Sequence, residues 1–228
     1  MNWVYLPLTI GIYWLALQLH RRIKTPLLNP VLVTLAALVA LLLLADIQYA
    51  AYDQYSHILT DLLQPAVVAL GVPLYLQIHT IKRDLPKILA AVLIAVIVAV
   101  GSTTAIALAL GASADIAASL APKSVTTPIA VLISEQIAAH PSITAIAVII
   151  TGLVGSVVGI PWMQALNIHH PKAQGIAMGA ACHALGTARI VELGEEQGAY
   201  SALSLVFSAV FSAMLCPLLV PQIVSLMN

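Results

Sequence analysis

Residues 92–100 read Val92-Leu93-Ile94-Ala95-Val96-Ile97-Val98-Ala99-Val100, a run of apolar side chains with no polar break. A membrane barrel strand would alternate apolar and polar residues over ~10 positions, so this run predicts a helix. It extends outward to residues 85–110, enough for the about 20 apolar residues that a spanning helix needs. A second unbroken run covers 143–150. The whole chain follows suit: 61% of its 228 residues are hydrophobic and 8% charged, where a soluble domain carries about 25% charged residues. That composition excludes a soluble enzyme, a nucleic-acid binder and a disordered chain. It implies an all-α integral membrane protein whose surroundings are lipid.

Reading outward, six spans are expected at residues 3–19, 30–45, 62–79, 85–110, 142–168 and 200–226, the third interrupted by Pro65, Gly71 and Pro73. The first has Arg21, Arg22 and Lys24 after it and no basic residue before it, the reverse of a signal peptide, so it is expected to be retained. Seven of the nine basic residues lie in three loops: Arg21, Arg22 and Lys24; Lys82, Arg83 and Lys87; and Lys172. Cytoplasmic loops hold the excess of Lys and Arg, which places these three inside and the acidic loop 46–61 outside. Both chain ends then face outward.

Two further stretches, 114–139 and 173–196, are moderately apolar but rich in small and polar residues. With Lys172 inside, the first must begin and end outside and the second must begin and end in the cytoplasm. Both are expected as broken or re-entrant segments, with full crossing as the rival. Residues 1–228 read as a single transmembrane domain, helices in 1–61 followed by a core in 62–228. A faint repeat of broken segment, loop and long helix starts at Pro65, at Pro122 and ahead of the last helix. Such repeats typify secondary transporters and predict an inverted-repeat architecture. Gly155-x-x-x-Gly159 and Gly175-x-x-x-Gly179 are patterns that let helices pack closely. Cys182 and Cys216 read as small core residues.

The two remaining basic residues, Lys123 and Arg189, each fall in a broken stretch, and an intramembrane ionisable residue is a functional hypothesis by default. The first stretch reads Ala121-Pro122-Lys123-Ser124-Val125-Thr126-Thr127-Pro128. Thr127 is expected to cap a half-helix opened by Pro128. Its free N–H groups, the Lys123 ammonium and the hydroxyls of Ser124 and Thr126 suit a small organic anion. In the second, His183-Ala184-Leu185-Gly186-Thr187-Ala188-Arg189, Gly186 is expected to break the helix and Thr187 to cap the next one. Arg189 can clamp a carboxylate in parallel hydrogen bonds or pair with Glu192 one turn on. His183 and Glu135 are the proton-coupling candidates. Adjacent His169 and His170 lack metal-ligand spacing. No hydrolase, zinc-protease or nucleotide-binding motif occurs, so neither metal, cofactor nor enzymatic activity is expected.

The run Pro122-Lys123-Ser124-Val125-Thr126-Thr127-Pro128-Ile129-Ala130 resembles the signature of the LrgB/CidB membrane proteins. The spacing His183-x-x-Gly186-Thr187-Ala188-Arg189, followed by Glu192 and Gly198-Ala199-Tyr200-Ser201, is similar to their second signature. The resemblance covers nearly the whole chain. It implies a multi-pass protein of the bacterial inner membrane, paired with a small holin-like partner of the LrgA/CidA type. It implies two functions. One is export or uptake of glycolate, glycerate or pyruvate, as in plastid and some bacterial relatives. The other is control of murein hydrolases and autolysis. Only the first draws on the Lys123 and Arg189 argument. A homo-oligomer is also expected.

Overall fold

The computed structural model describes residues 4–23, 28–62, 65, 75 and 78–227. Lys24, both chain ends and most of the expected span 62–79, including Gly71 and Pro73, lie outside the described residues. The described residues are helical, in two compact units, Met1–Ala69 and Leu70–Asn228.

The first unit holds α1 (Tyr5–Arg22), α2 (Pro30–Leu44) and α3 (Tyr49–Asp61). Asn29 starts α2: its side-chain oxygen accepts from the backbone N–H groups of Val31 and Leu32 at 2.9 and 3.4 Å. Pro30 follows with the φ a first helical residue needs. The stretch 46–61, expected as a loop, contains the helix α3. Tyr52 holds that helix to α1, its hydroxyl 2.9 Å from Thr9 Oγ1 and its ring 5.8 Å from that of Tyr5. A tyrosine-rich segment with polar partners has no apolar run to announce it, which is why hydropathy reads it as loop.

The second unit contains α4 (Ile78–Ala109), α5 (Ala114–Leu120), α6 (Thr127–Gln136), α7 (Pro141–Ala165), α8 (Pro171–Val191) and α9 (Glu195–Met227). Residues Lys82–Ala109, Pro141–Ala165 and Glu195–Met227 are each long and apolar enough to cross a membrane. The last helix thus begins five residues before the expected span, because Glu195 and Glu196 sit well at the positive end of a helix. Ile94, Val98, Ile146, Ile150, Val154, Val206 and Leu218 are exposed on these helices, whereas Ser201, Ser204, Ser208 and Thr144 are buried. This inverts the pattern of a water-soluble bundle, and the chain is a multi-pass membrane protein.

Helices α5 and α6 are 7 and 10 residues long. At 1.5 Å per residue each covers about 10–15 Å, half or less of a ~30 Å hydrocarbon core. They form a hairpin that closes where it began. Asp115, at the start of α5, lies 2.7 Å from His140 Nε2, which follows α6. The His140 N–H donates to Ser119 Oγ at 2.8 Å, and the Thr144 hydroxyl lies 2.7 Å from the Ser119 carbonyl and 2.9 Å from Ser134 Oγ. Ser119, Ser134 and Thr144 are fully buried, so that part of the clasp sits inside the protein, while Asp115 and His140 close it at the surface.

Helix α8 is a second hairpin. At His183 the backbone leaves helical geometry, with φ 44° and ψ −139°. The outgoing limb, residues 171–182, packs Gly175 on Gln197 and Tyr200 of α9 and Gly179 on the Ser201 backbone. Ala180 reaches Ser208. The return limb, residues 184–191, comes back to Ser201 at Thr187 and to Gly198 at Val191. Beginning and end therefore meet the same turns of α9, and the tip lies deeper. On the other side, Gly159, Gly155 and Gly152 of α7 face Met178, Cys182 and His183 in turn. One small-residue pattern thus serves each side of the hairpin, Gly155 and Gly159 toward α7 and Gly175 and Gly179 toward α9.

The two hairpins enter from opposite ends of α7. Asp115 and Ser119 meet its start at His140 and Thr144, whereas Gln174 reaches Ile168 just beyond its end, at 2.9 Å. A 25-residue helix separates those ends by about 37 Å.

Candidate functional site: two hairpin tips

The first tip is the turn 121–126 between α5 and α6. Ala121 and Val125 are buried and anchor it in the core, in the cluster that also holds Val148 and Ala180. Lys123, half-buried, projects from it and donates to Ser124 Oγ at 3.3 Å. Among the described residues no carboxylate lies within ion-pair distance of Lys123; the ion pairs are Asp115–His140, Lys172–Asp84 and Arg189–Glu192. Pro128 opens α6, but the N-cap is Thr126, with extended φ −66° and ψ 146°, and not Thr127 as expected. Thr127 is the first helical residue and Pro128 the second, where a missing N–H forfeits no intrahelical hydrogen bond. Neither threonine is fully buried, and no side chain caps the helix. Its first-turn N–H groups are left as donors at the positive end of the helix.

The second tip is His183. Its ring Nε2 lies 2.9 Å from the Val148 carbonyl on α7, so that nitrogen carries the hydrogen and Nδ1 is the free acceptor. The bend falls at His183 rather than at the expected Gly186. Gly186 instead lets the return limb approach the outgoing one: a Cβ there would stand 2.4 Å from Cys182 Cβ and 2.8 Å from the Met178 carbonyl. Thr187 does not cap a helix either. Its hydroxyl donates to the His183 carbonyl at 2.9 Å and lies 2.9 Å from Ser201 Oγ. Ala121 and Val125 of the first tip share one buried cluster with Val148, whose carbonyl meets the His183 ring, and with Ala180, three residues before the bend.

The structure thus sets the turn that carries Lys123 and Ser124 in one buried cluster with Val148 and Ala180 around the bend, with Thr126 and Thr127 at the start of α6. It does not bring Arg189 or Glu135 there. Arg189 lies six residues down the return limb and is ion-paired to Glu192. Glu135 is exposed near the closed end of the first hairpin, about two turns from Lys123. At that same end Asp115 is held down to about 2, first by the Ser113 hydroxyl and then by His140, and is ionised throughout the physiological range.

Two features escaped sequence reading. Cys182 read as a small core residue, and only the fold sets it at the bend, against Gly155 of α7. Asp84, the one acid among Lys82, Arg83 and Lys87, joins Lys172 at 2.6 Å and Tyr200 at 2.7 Å. Tyr200 was visible inside the second signature, but nothing in the sequence linked it to Asp84.

Comparison with known proteins gives the ancestry of this arrangement. The profile of the LrgB-like family matches residues 9–222. YwbG of Bacillus subtilis is 37% identical over 206 residues, covering 90% of this chain and 92% of its own length. The holin-like protein CidB of Staphylococcus epidermidis is 32% identical over 205 residues, covering 89% and 88%. CidB of Staphylococcus aureus is 31% identical over 202 residues, with the same coverage. No solved structure matches. The chain belongs to the LrgB-like family.

Proposed function

We propose that the chain is a secondary transporter of small monocarboxylates, of the glycolate, glycerate or pyruvate kind, in the bacterial cytoplasmic membrane. One observation carries this reading: among the described residues the Lys123 ammonium stands at a hairpin tip with no carboxylate partner, and that tip shares a buried cluster with Val148, which holds the bend of the other hairpin. A positive charge held away from bulk water is costly unless an anion joins it. The uncapped start of α6 adds N–H donors for that anion. A carboxylate would sit between Lys123, Ser124 and the first turn of α6, with the His183 tip closing the opposite side. The entry of the hairpins from opposite ends of α7 supports an inverted-repeat arrangement of two re-entrant segments. Transport on this plan needs no covalent chemistry.

A second reading is favoured by the names of the staphylococcal relatives, both holin-like proteins. In it the chain works with a small LrgA/CidA-type partner to regulate murein hydrolases and autolysis, without carrying a substrate. Proteoliposomes holding this chain alone separate the two. A carrier shows saturable uptake of labelled glycolate or pyruvate that unlabelled substrate accelerates from the opposite side. A holin-like pore shows unsaturable leak that extends to larger dyes, or no flux until the partner is added.

His183 is the tip residue whose ring can take up and release a proton, through the Nδ1 that faces no donor once Nε2 meets the Val148 carbonyl. Its replacement His183→Gln keeps a donor for the Val148 carbonyl and removes the proton site. Exchange of substrate across the membrane is expected to persist, while uptake driven by a pH gradient is lost. Retained gradient-driven accumulation would make His183 structural and turn attention to Glu135.

A further inference from the structure

The transport reading leaves one charged cluster unused. Lys172, in the first turn of α8, and Tyr200, on α9, both donate to the same oxygen of Asp84 on α4, at 2.6 and 2.7 Å. The Lys172 ammonium also lies 5.4 Å from the centre of the Tyr200 ring. The cluster sits where the second hairpin enters the protein.

The parts it joins are held in two different ways. The second hairpin and α9 are inseparable neighbours: Gly175 and Gly179 bring their backbones together with no room for a Cβ. Helix α4 presents Ile88, Val92, Val96 and Val100 at every fourth position to the core cluster that contains Tyr200 and Leu203. That seam is aliphatic. Among the described residues, the side-chain hydrogen bonds joining α4 to α8 and α9 all end on Asp84. Burial fits a tie that opens. Tyr200 is fully buried, but the side chains of Asp84 and Lys172 keep 16% and 26% exposure, so water can take over their charges when they part. A completely buried pair would have to be desolvated again in every cycle.

We propose that Asp84, Lys172 and Tyr200 form a latch that fastens α4 to the body made by the second hairpin and α9. Its release opens the way to the tips from the face that carries Lys82, Arg83, Lys87 and Lys172. The role in turnover rests on the transport reading; the latch itself rests on the packing.

Cys182 reports access to the tips without any substrate. With Cys216→Ser it is the single thiol of the full-length chain, which has two cysteines. A charged, membrane-impermeant maleimide is applied to reconstituted protein from each face in turn. Asp84→Asn preserves shape and removes the charge, and alkylation from the basic face is expected to rise about tenfold, the ratio for one charge-assisted hydrogen bond. Tyr200→Phe keeps the ring, removes one donor, and is expected to give a smaller rise from the same face. Unchanged alkylation in both folded variants overturns the latch. So does an equal rise from the two faces, which marks general loosening. Directional alkylation without any uptake keeps the latch and rejects the carrier; uptake with no directional change does the reverse.

Discussion

Lys123→Ala is expected to abolish substrate binding and uptake while the protein still folds and inserts. Among the described residues the side chain makes one hydrogen bond, to Ser124, and no ion pair, so its removal leaves no orphaned carboxylate among them. The turn that carries it is anchored by Ala121 and Val125, which the substitution does not touch. The loss falls on the bound anion. A carboxylate brought to the tips without its cation has left water and found no replacement charge. Breaking such a pair costs about 3–5 kcal/mol, at least a hundredfold in affinity at 1.4 kcal/mol per decade. Lys123→Arg is expected to fail as well, because a planar guanidinium is wider than the ammonium. Arg189→Ala is expected to cost less, since Glu192 already engages that guanidinium away from the tips. Binding by thermal shift and uptake in proteoliposomes measure both. Wild-type affinity in Lys123→Ala removes the residue from the site.

Gly179 gives the other large effect, on folding. A Cβ built on it stands 2.1 Å from the Ser201 carbonyl oxygen and 2.8 and 2.9 Å from Ser201 C and Cα. These are backbone atoms in the second turn of α9 and cannot swing aside. Even Gly179→Ala must push the second hairpin off α9, stretching the Thr187–Ser201 and Ser208–Ala180 contacts on the same face. Overpacking of this kind costs about 1–3 kcal/mol. Gly179→Ala is therefore expected to melt several degrees lower in detergent, and Gly179→Leu to fail to accumulate as a monodisperse protein. Gly101→Ala is the control: nothing lies within 4 Å of its Cβ, and alanine is the better helix former. Its melting temperature should hold or rise slightly. Equal melting of Gly179→Ala and wild type would contradict the close contact.

The long helices were legible because lipid leaves one solution for an unbroken apolar run: residues 85–110 and 142–168 read directly as α4 and α7. The hairpins were legible through their punctuation, Pro122 and Pro128 in one and the small-residue stretch in the other. The site of the second bend was not. A glycine is the usual marker of a backbone break, which drew attention to Gly186, yet the positive φ belongs to His183. Its conformation is imposed from α7, where the Val148 carbonyl takes the ring nitrogen and Gly152 leaves the ring its space: a Cβ there would meet it at 2.5 Å. No local sequence rule encodes a contact 35 residues away. The same holds for Lys172, which read only as a topological charge although Asp84 binds it across 88 residues. Glu135 and Arg189 illustrate the converse. Both residue types fit the chemistry, but helix phase and neighbours hold them elsewhere.

The bend at His183 also bears on how the protein is assembled. A non-glycine residue in this backbone region costs about 1–3 kcal/mol, and the surrounding structure must hold it there. Residues 171–191 on their own are a 21-residue segment with no such support, and a straight helix of that length reaches across a bilayer. The support comes from α7, made just before it, and from α9, made just after. During synthesis the segment therefore has two threadings open to it until the turns around Gly198 and Ser201 emerge and dock against Gly175 and Gly179. The order of emergence makes α9 the element that decides the final path. A chain stopped at Gly194 carries every residue of the hairpin, yet lacks the partner that folds it back.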